Sequence, residues 1–115
     1  MTPIRIERWD ADCDGPLSEA SLERKIEAYG FEVVARTYPA GRAFDAPPAG
    51  RDSVAAVVRG VVRLTVDGEP ATLEAGDLAV VPRESVRRIE AIGPDPALCL
   101  EAYRRRDLPP ATNEG

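Results

Sequence analysis

Gly76-Asp77-Leu78-Ala79-Val80-Val81-Pro82, with Arg87 five residues beyond the proline, is the stretch whose reading decides the fold. The Gly-Asp pair reverses the chain before a short apolar run, and Pro82 then interrupts the ladder because proline has no amide to donate. Upstream, Leu64-Thr65-Val66-Asp67-Gly68-Glu69 reads as a hairpin, since Asp-Gly tolerates the positive φ that both central residues of a type I′ turn require. Pro70, just after it, suits an edge or the start of a strand. Downstream, Gly93-Pro94 marks another reversal.

Working outward, short β-rich runs separated by Pro, Gly and Asp extend over Phe31 to Tyr38, Ser53 to Arg59, Val61 to Val66, Ala71 to Leu73, Leu78 to Val81, Val86 to Ile92 and Ala97 to Tyr103. None leaves room for a crossover helix, so the pairs are antiparallel. Ile4 to Arg8 reads as a short edge strand and Trp9 to Gly15 as a loop with three aspartates. A helix is predicted over Glu19 to Tyr29, with Ser18 as N-cap, Leu17 and Leu22 as a hydrophobic staple, Leu22, Ile26 and Tyr29 on one face, and Gly30 at C′.

These motifs resemble the cupin family. Gly41, followed nineteen residues later by Gly60, matches the length of the first cupin motif, and Gly76-Asp77 through Pro82 to Arg87 is similar to the second. The resemblance covers about Phe31 to Tyr103 and implies a mainly all-β fold, a cupin-type antiparallel β-barrel or jelly roll with one N-terminal helix. The expected organisation is one domain: residues 1–30 as strand, loop and helix packed on the barrel, 31–105 as the barrel, and 106–115 as a flexible tail.

The resemblance also implies a divalent metal held by histidines and a glutamate, yet this chain has no histidine. The four family positions fall here on Pro47, Ala49, Ser53 and Arg87. A guanidinium stays protonated and offers no lone pair, so Arg87 repels a cation. Scattered carboxylates at Asp45, Asp52, Glu84, Glu90 and Glu101 share no converging spacing. The expectation is a site with no metal and no cofactor.

Composition bounds the partners. The 115 residues, 43% of them apolar, suffice for one core, and a net charge of −5 argues against nucleic acid and anionic membrane as partners. Arg104 to Arg106 reads as a solvated terminus. Two cysteines, Cys13 and Cys99, form no CxxC pair and suit a reduced compartment. Without an apolar leader or a bilayer-length apolar run, a cytoplasmic protein is expected.

Candidate site residues follow from the barrel geometry. Arg87 either projects into the cavity, where its planar fork suits a carboxylate or phosphate, or points to solvent beside Arg88, or pairs with an internal acid. In the last strand, Leu98, Leu100 and Ala102 form one face and Cys99, Glu101 and Tyr103 the other, and either face can be the inner one. On the second choice Glu101 is a candidate base, Tyr103 a hydroxyl donor and Cys99 a buried wall or weak nucleophile. Tyr38 is placed near the mouth, Ser53 at a vacated metal position, and Phe44 and Asp45 on a stiff loop carried by Pro47 and Pro48. Arg36 and Arg63 lie on neighbouring runs, where parity alone does not assign their faces; Arg63 alternates with Val62 and Leu64 and reads as solvent-facing.

Two classes of function remain. One is a metal-independent pocket for a small anionic or carbonyl-containing metabolite, extending to a cofactor-free isomerase, lyase or cyclase. The other is a non-enzymatic metabolite sensor or dimerising scaffold whose metal site has decayed. A homodimer is expected in either case, with Ile4 to Ile6 as an apolar edge that can add to a partner's sheet.

Overall fold

The computed structural model describes residues 4–46, 48 and 50–105. Nine strands and two helices follow one another as β1 (Arg5–Glu7), α1 (Ala11–Asp14), α2 (Glu19–Ala28), β2 (Phe31–Tyr38), β3 (Ala43–Ala46), β4 (Ser53–Arg59), β5 (Val62–Val66), β6 (Glu69–Leu73), β7 (Leu78–Val81), β8 (Arg87–Ala91) and β9 (Ala97–Arg104). All pairings are antiparallel. They form a five-stranded sheet ordered β1-β7-β4-β9-β2 and a four-stranded sheet ordered β3-β8-β5-β6. The expected barrel or jelly roll is an open two-sheet jelly-roll sandwich, because among the described residues no hydrogen-bonded ladder joins the two sheets.

Turn chemistry sets the hairpins. Asp67 and Gly68 both have positive φ, 50° and 85°, as the β5–β6 turn requires. Gly60 is fixed by space as well as by its φ of 94°: a Cβ there would lie 2.9 Å from the Ala97 Cα. Pro70 falls on β6, an outer strand, where a missing amide interrupts no interior ladder.

The larger sheet is buried on both faces. Its inner side packs Ala55, Val57, Ala79, Val81 and Cys99 against Val62, Leu64 and Ile89 of the smaller sheet. Its outer side packs Val54, Ala56, Leu100 and Ala102 against Leu22 and Ile26 of α2. This is why all six residues from Ser53 to Val58 are buried and do not alternate with exposed ones. Ser18 caps α2 by accepting from the Ser21 amide at 3.0 Å, and the Ser21 hydroxyl accepts from the Ser18 amide at 2.8 Å. The helix ends at Ala28, with Tyr29 as its cap.

Two local expectations are corrected. Trp9 to Gly15 contains the one-turn helix α1, because the Asp10 carboxylate accepts from the Asp12 amide at 3.0 Å and starts a turn. Phe44 and Asp45 belong to strand β3, paired with β8, and not to a stiff loop. The prolines begin only at position 47, so every amide that β3 needs is present. Pro47 and Ala49 themselves lie outside the described residues, as does the tail from residue 106.

Candidate functional site

Register decides which side chains meet. Across β9, Glu101 pairs with Ala55 of β4 and Val34 of β2, while Tyr103 pairs with Ser53 and Glu32. Directly opposed residues share a face, so Ser53, Glu101, Tyr103, Arg36 and Tyr38 all turn toward the smaller sheet. From that sheet β8 contributes Arg87 and Ile89, and β3 contributes Phe44 and Ala46 opposite them. Both faces of β9 are buried, so neither excludes the other: Leu100 and Ala102 lie under α2, and Cys99 and Glu101 lie inside the sandwich.

Between the edges of β2 and β3 the sandwich opens into a cavity of about 520 Å³. Arg36, Tyr38, Phe44, Arg87, Glu101 and Tyr103 are among the residues lining it. Arg87 is 8% exposed and Glu101 4%. Arg87 donates through Nη2 to Glu101 Oε1 at 3.2 Å and to the Tyr103 hydroxyl oxygen at 2.9 Å, and through Nη1 to Ser53 Oγ at 3.4 Å. Arg36 Nε lies 3.1 Å from the same Oε1. Tyr38 and Phe44 pack with tilted rings at the mouth, their centroids 5.2 Å apart and their planes at 56°.

Both guanidinium groups thus fasten one carboxylate oxygen. Among the described residues no side-chain donor reaches Glu101 Oε2. Tyr103 accepts from Arg87, so its own O–H proton is available to donate. Burial pushes the Glu101 carboxyl above the usual carboxylate range, and the charge and hydrogen bond of Arg36 pull it part of the way back. The wall therefore presents a carboxylate acceptor beside a phenol donor and two cations.

Other singled-out residues sit elsewhere. Cys99 does not line the cavity: it is fully buried in the apolar core, and burial raises its thiol to about 12, which removes the weak-nucleophile reading. Ser53 acts through Arg87 and does not line the main cavity. Asp45, by contrast, is among the residues lining the cavity, and Arg88 Nη1 holds it at 3.1 Å. Arg63 faces solvent and pairs with Glu90 at 3.1 Å. Arg36 is the residue left unassigned at the sequence level; its even spacing from Tyr38 along β2 was the available signal.

A profile of the cupin domain matches residues 37–103. This chain belongs to the cupin family. Among solved structures, a cupin protein from Bacteroides fragilis is 25% identical, with a TM-score of 0.59 over 82% of this chain and 78% of that one. The cupin domain of an XRE family transcriptional regulator from Enterobacter cloacae is 14% identical, with a TM-score of 0.61 over 90% and 98%. A protein from Photorhabdus luminescens is 12% identical with a TM-score of 0.63; the match covers 67% of this chain and 64% of that one, so this cupin spans just under two thirds of its length. No curated protein matches the chain.

The metal that the cupin family implies does not fit the residues of this cupin. Of the four family positions, Ser53 and Arg87 are described, and the Arg87 guanidinium donates to Ser53, Glu101 and Tyr103 within the site. A cation fixed at one of these positions repels a second one beside it, and its partners are engaged. Among the described residues no three His, Cys, Asp or Glu side chains converge.

Proposed function

We propose that the cavity is a metal-independent binding site for a small metabolite bearing a carboxylate or carbonyl oxygen. One observation carries the reading: Arg87, fixed by Ser53, Glu101 and Tyr103, stands with Arg36 on the wall of a cavity of about 520 Å³, a volume in the range of small-molecule sites. Arg36 keeps its Nη groups free of side-chain partners among the described residues, so it can meet an anion through one of them while Nε holds Glu101. Tyr38 and Phe44 supply an apolar rim for the rest of the ligand.

The same wall supports cofactor-free proton transfer. A carbonyl oxygen accepts the Tyr103 O–H, and Glu101 Oε2 takes the proton from the adjacent carbon. The C–H electron pair moves into a new C=C bond, and the charge gathering on oxygen faces Tyr103 and the arginines. For an α-hydroxy carbonyl substrate, the enediolate's remaining hydroxyl gives its proton to the former carbonyl oxygen while Glu101 returns its proton to the former carbonyl carbon, which completes an isomerisation; where the β-carbon carries a leaving group, that group departs with its bonding pair as the enolate re-forms C=O, which completes an elimination. The second reading is a sensor that binds without turnover, favoured by the two guanidinium groups that already offset the Glu101 charge.

Calorimetry against a panel of small carboxylates and hydroxy-ketones tests both. Arg36, 56% exposed at its side chain, is the informative position. Arg36→Gln is expected to weaken binding about tenfold or more with little change in Tm. Glu101→Gln is expected to retain binding, and to abolish turnover if the protein is an enzyme. A panel without any binder, or Arg36→Gln binding as tightly as wild type, overturns the proposal.

A further inference from the structure

We propose that β2 pairs with β2 of a second copy of this chain, antiparallel about a two-fold axis at Val34, and that this interface borders the cavity. The starting observation is the contrast among the four outer strands. β1 has three residues, β3 has four and runs into Pro47 and Pro48, and β6 carries Pro70. Short length and proline are the usual ways of blunting a sheet edge. β2 is eight residues long and contains no proline, glycine or lysine. Val34 on it is 52% exposed, and Ala35, Arg36 and Thr37 are exposed as well. Ile4 and Ile6, the apolar edge expected from sequence, instead pack on the inner core.

The sequence of β2 is self-complementary in one register. An axis normal to the sheet keeps inner residues opposite inner residues, so only residues of equal parity oppose one another. Centring on Val34 sets Glu32 opposite the partner's Arg36, and Arg36 opposite the partner's Glu32. On the outer face the same register sets Val33 opposite the partner's Ala35. Centring on Glu32 or on Arg36 places like charges directly opposed, which is destabilising. Glu32 is exposed and has no cationic partner among the described residues. Arg36 holds Glu101 through Nε, which leaves one Nη group for the partner's carboxylate and the other for a ligand in the cavity. Because Arg36 lines the cavity, the partner's Glu32 would stand at its mouth.

Light scattering of the wild-type chain over a dilution series is expected to give twice the monomer mass at high concentration. Glu32→Arg, which opposes like charges twice across the axis, is expected to raise the dimer dissociation constant about tenfold or more. Register is read by cross-linking in a Cys13→Ser background, since Cys13 is the exposed thiol and Cys99 is buried. Val34→Cys faces its own copy and is expected to form an intermolecular disulfide on mild oxidation. Val33→Cys, displaced from its own copy by two residues across the pair, is expected to stay reduced. A monomer at every concentration overturns the proposal. So does a dimer that ignores Glu32→Arg and gives no Val34→Cys cross-link.

Discussion

Glu101 and Arg87 show what burial does to ionised side chains in a small sandwich. The Glu101 carboxyl titrates above its ordinary value of 4.5, with desolvation as the leading cause. Between the ordinary and the raised value the native protein holds a proton that the unfolded chain releases, so this group's contribution to stability falls as pH rises through that window. Below it the penalty is absent, and above it the penalty is complete. Glu101→Gln removes the titration, so the Tm of the variant should gain on wild type as pH rises from about 4 to about 8. Arg87→Met leaves the Glu101 charge short of a buried partner and is expected to cost roughly 3–5 kcal/mol in denaturant unfolding. Cys99, with its thiol at about 12, should resist thiol reagents at pH 8 in the native protein while the exposed Cys13 reacts. One thiol before denaturation and two after is the expected titration.

At the scale of elements, turn residues and most strand runs were legible in the sequence, and burial and edge positions were not. Asp67-Gly68, Pro70, Ser18 and the runs Phe31–Tyr38, Ser53–Arg59 and Leu78–Val81 stand where the sequence put them, because each rests on local sterics or capping. β3 was missed because four residues beside two prolines give no alternation that distinguishes them from a loop; only pairing with Arg87 to Glu90 makes them a strand. Gly60 and Gly41 offer a paired test, since both have positive φ but only Gly60 is crowded. Gly41→Ala should cost about 1 kcal/mol for the backbone alone, and Gly60→Ala more, because a methyl 2.9 Å from the Ala97 Cα must displace backbone. Urea unfolding of the two variants measures the difference.

On the scale of the whole molecule, two sheets bridged by packing and by the Arg87 hydrogen bonds, with no strand ladder between them among the described residues, leave the β2–β3 side open, and that opening is the cavity. The helix α2 closes the opposite face of the larger sheet, which turns both sides of β9 to packing duty and sends Glu101 inward. With the Arg87 cation at one of the family's ligand positions, chelation should leave the Tm and any ligand affinity unchanged. Elemental analysis of untagged protein should find no stoichiometric iron, manganese, nickel or zinc. A chelator-dependent loss of several degrees in Tm would show that a cation contributes to the folded state.

The chain by itself determined that the fold is mainly antiparallel β, where most of its turns lie, and that a guanidinium, which has no lone pair for a metal, stands at position 87. Those conclusions need only short-range sterics, the period of the strands and the chemistry of single side chains. Tertiary structure alone decided that Arg36 joins Arg87 on Glu101, that Cys99 is core, and that β2 is the long unblunted edge. Each depends on register between strands far apart in the chain. A one-residue slip would exchange the faces of an entire strand, so a face cannot be assigned until the partner strand is known.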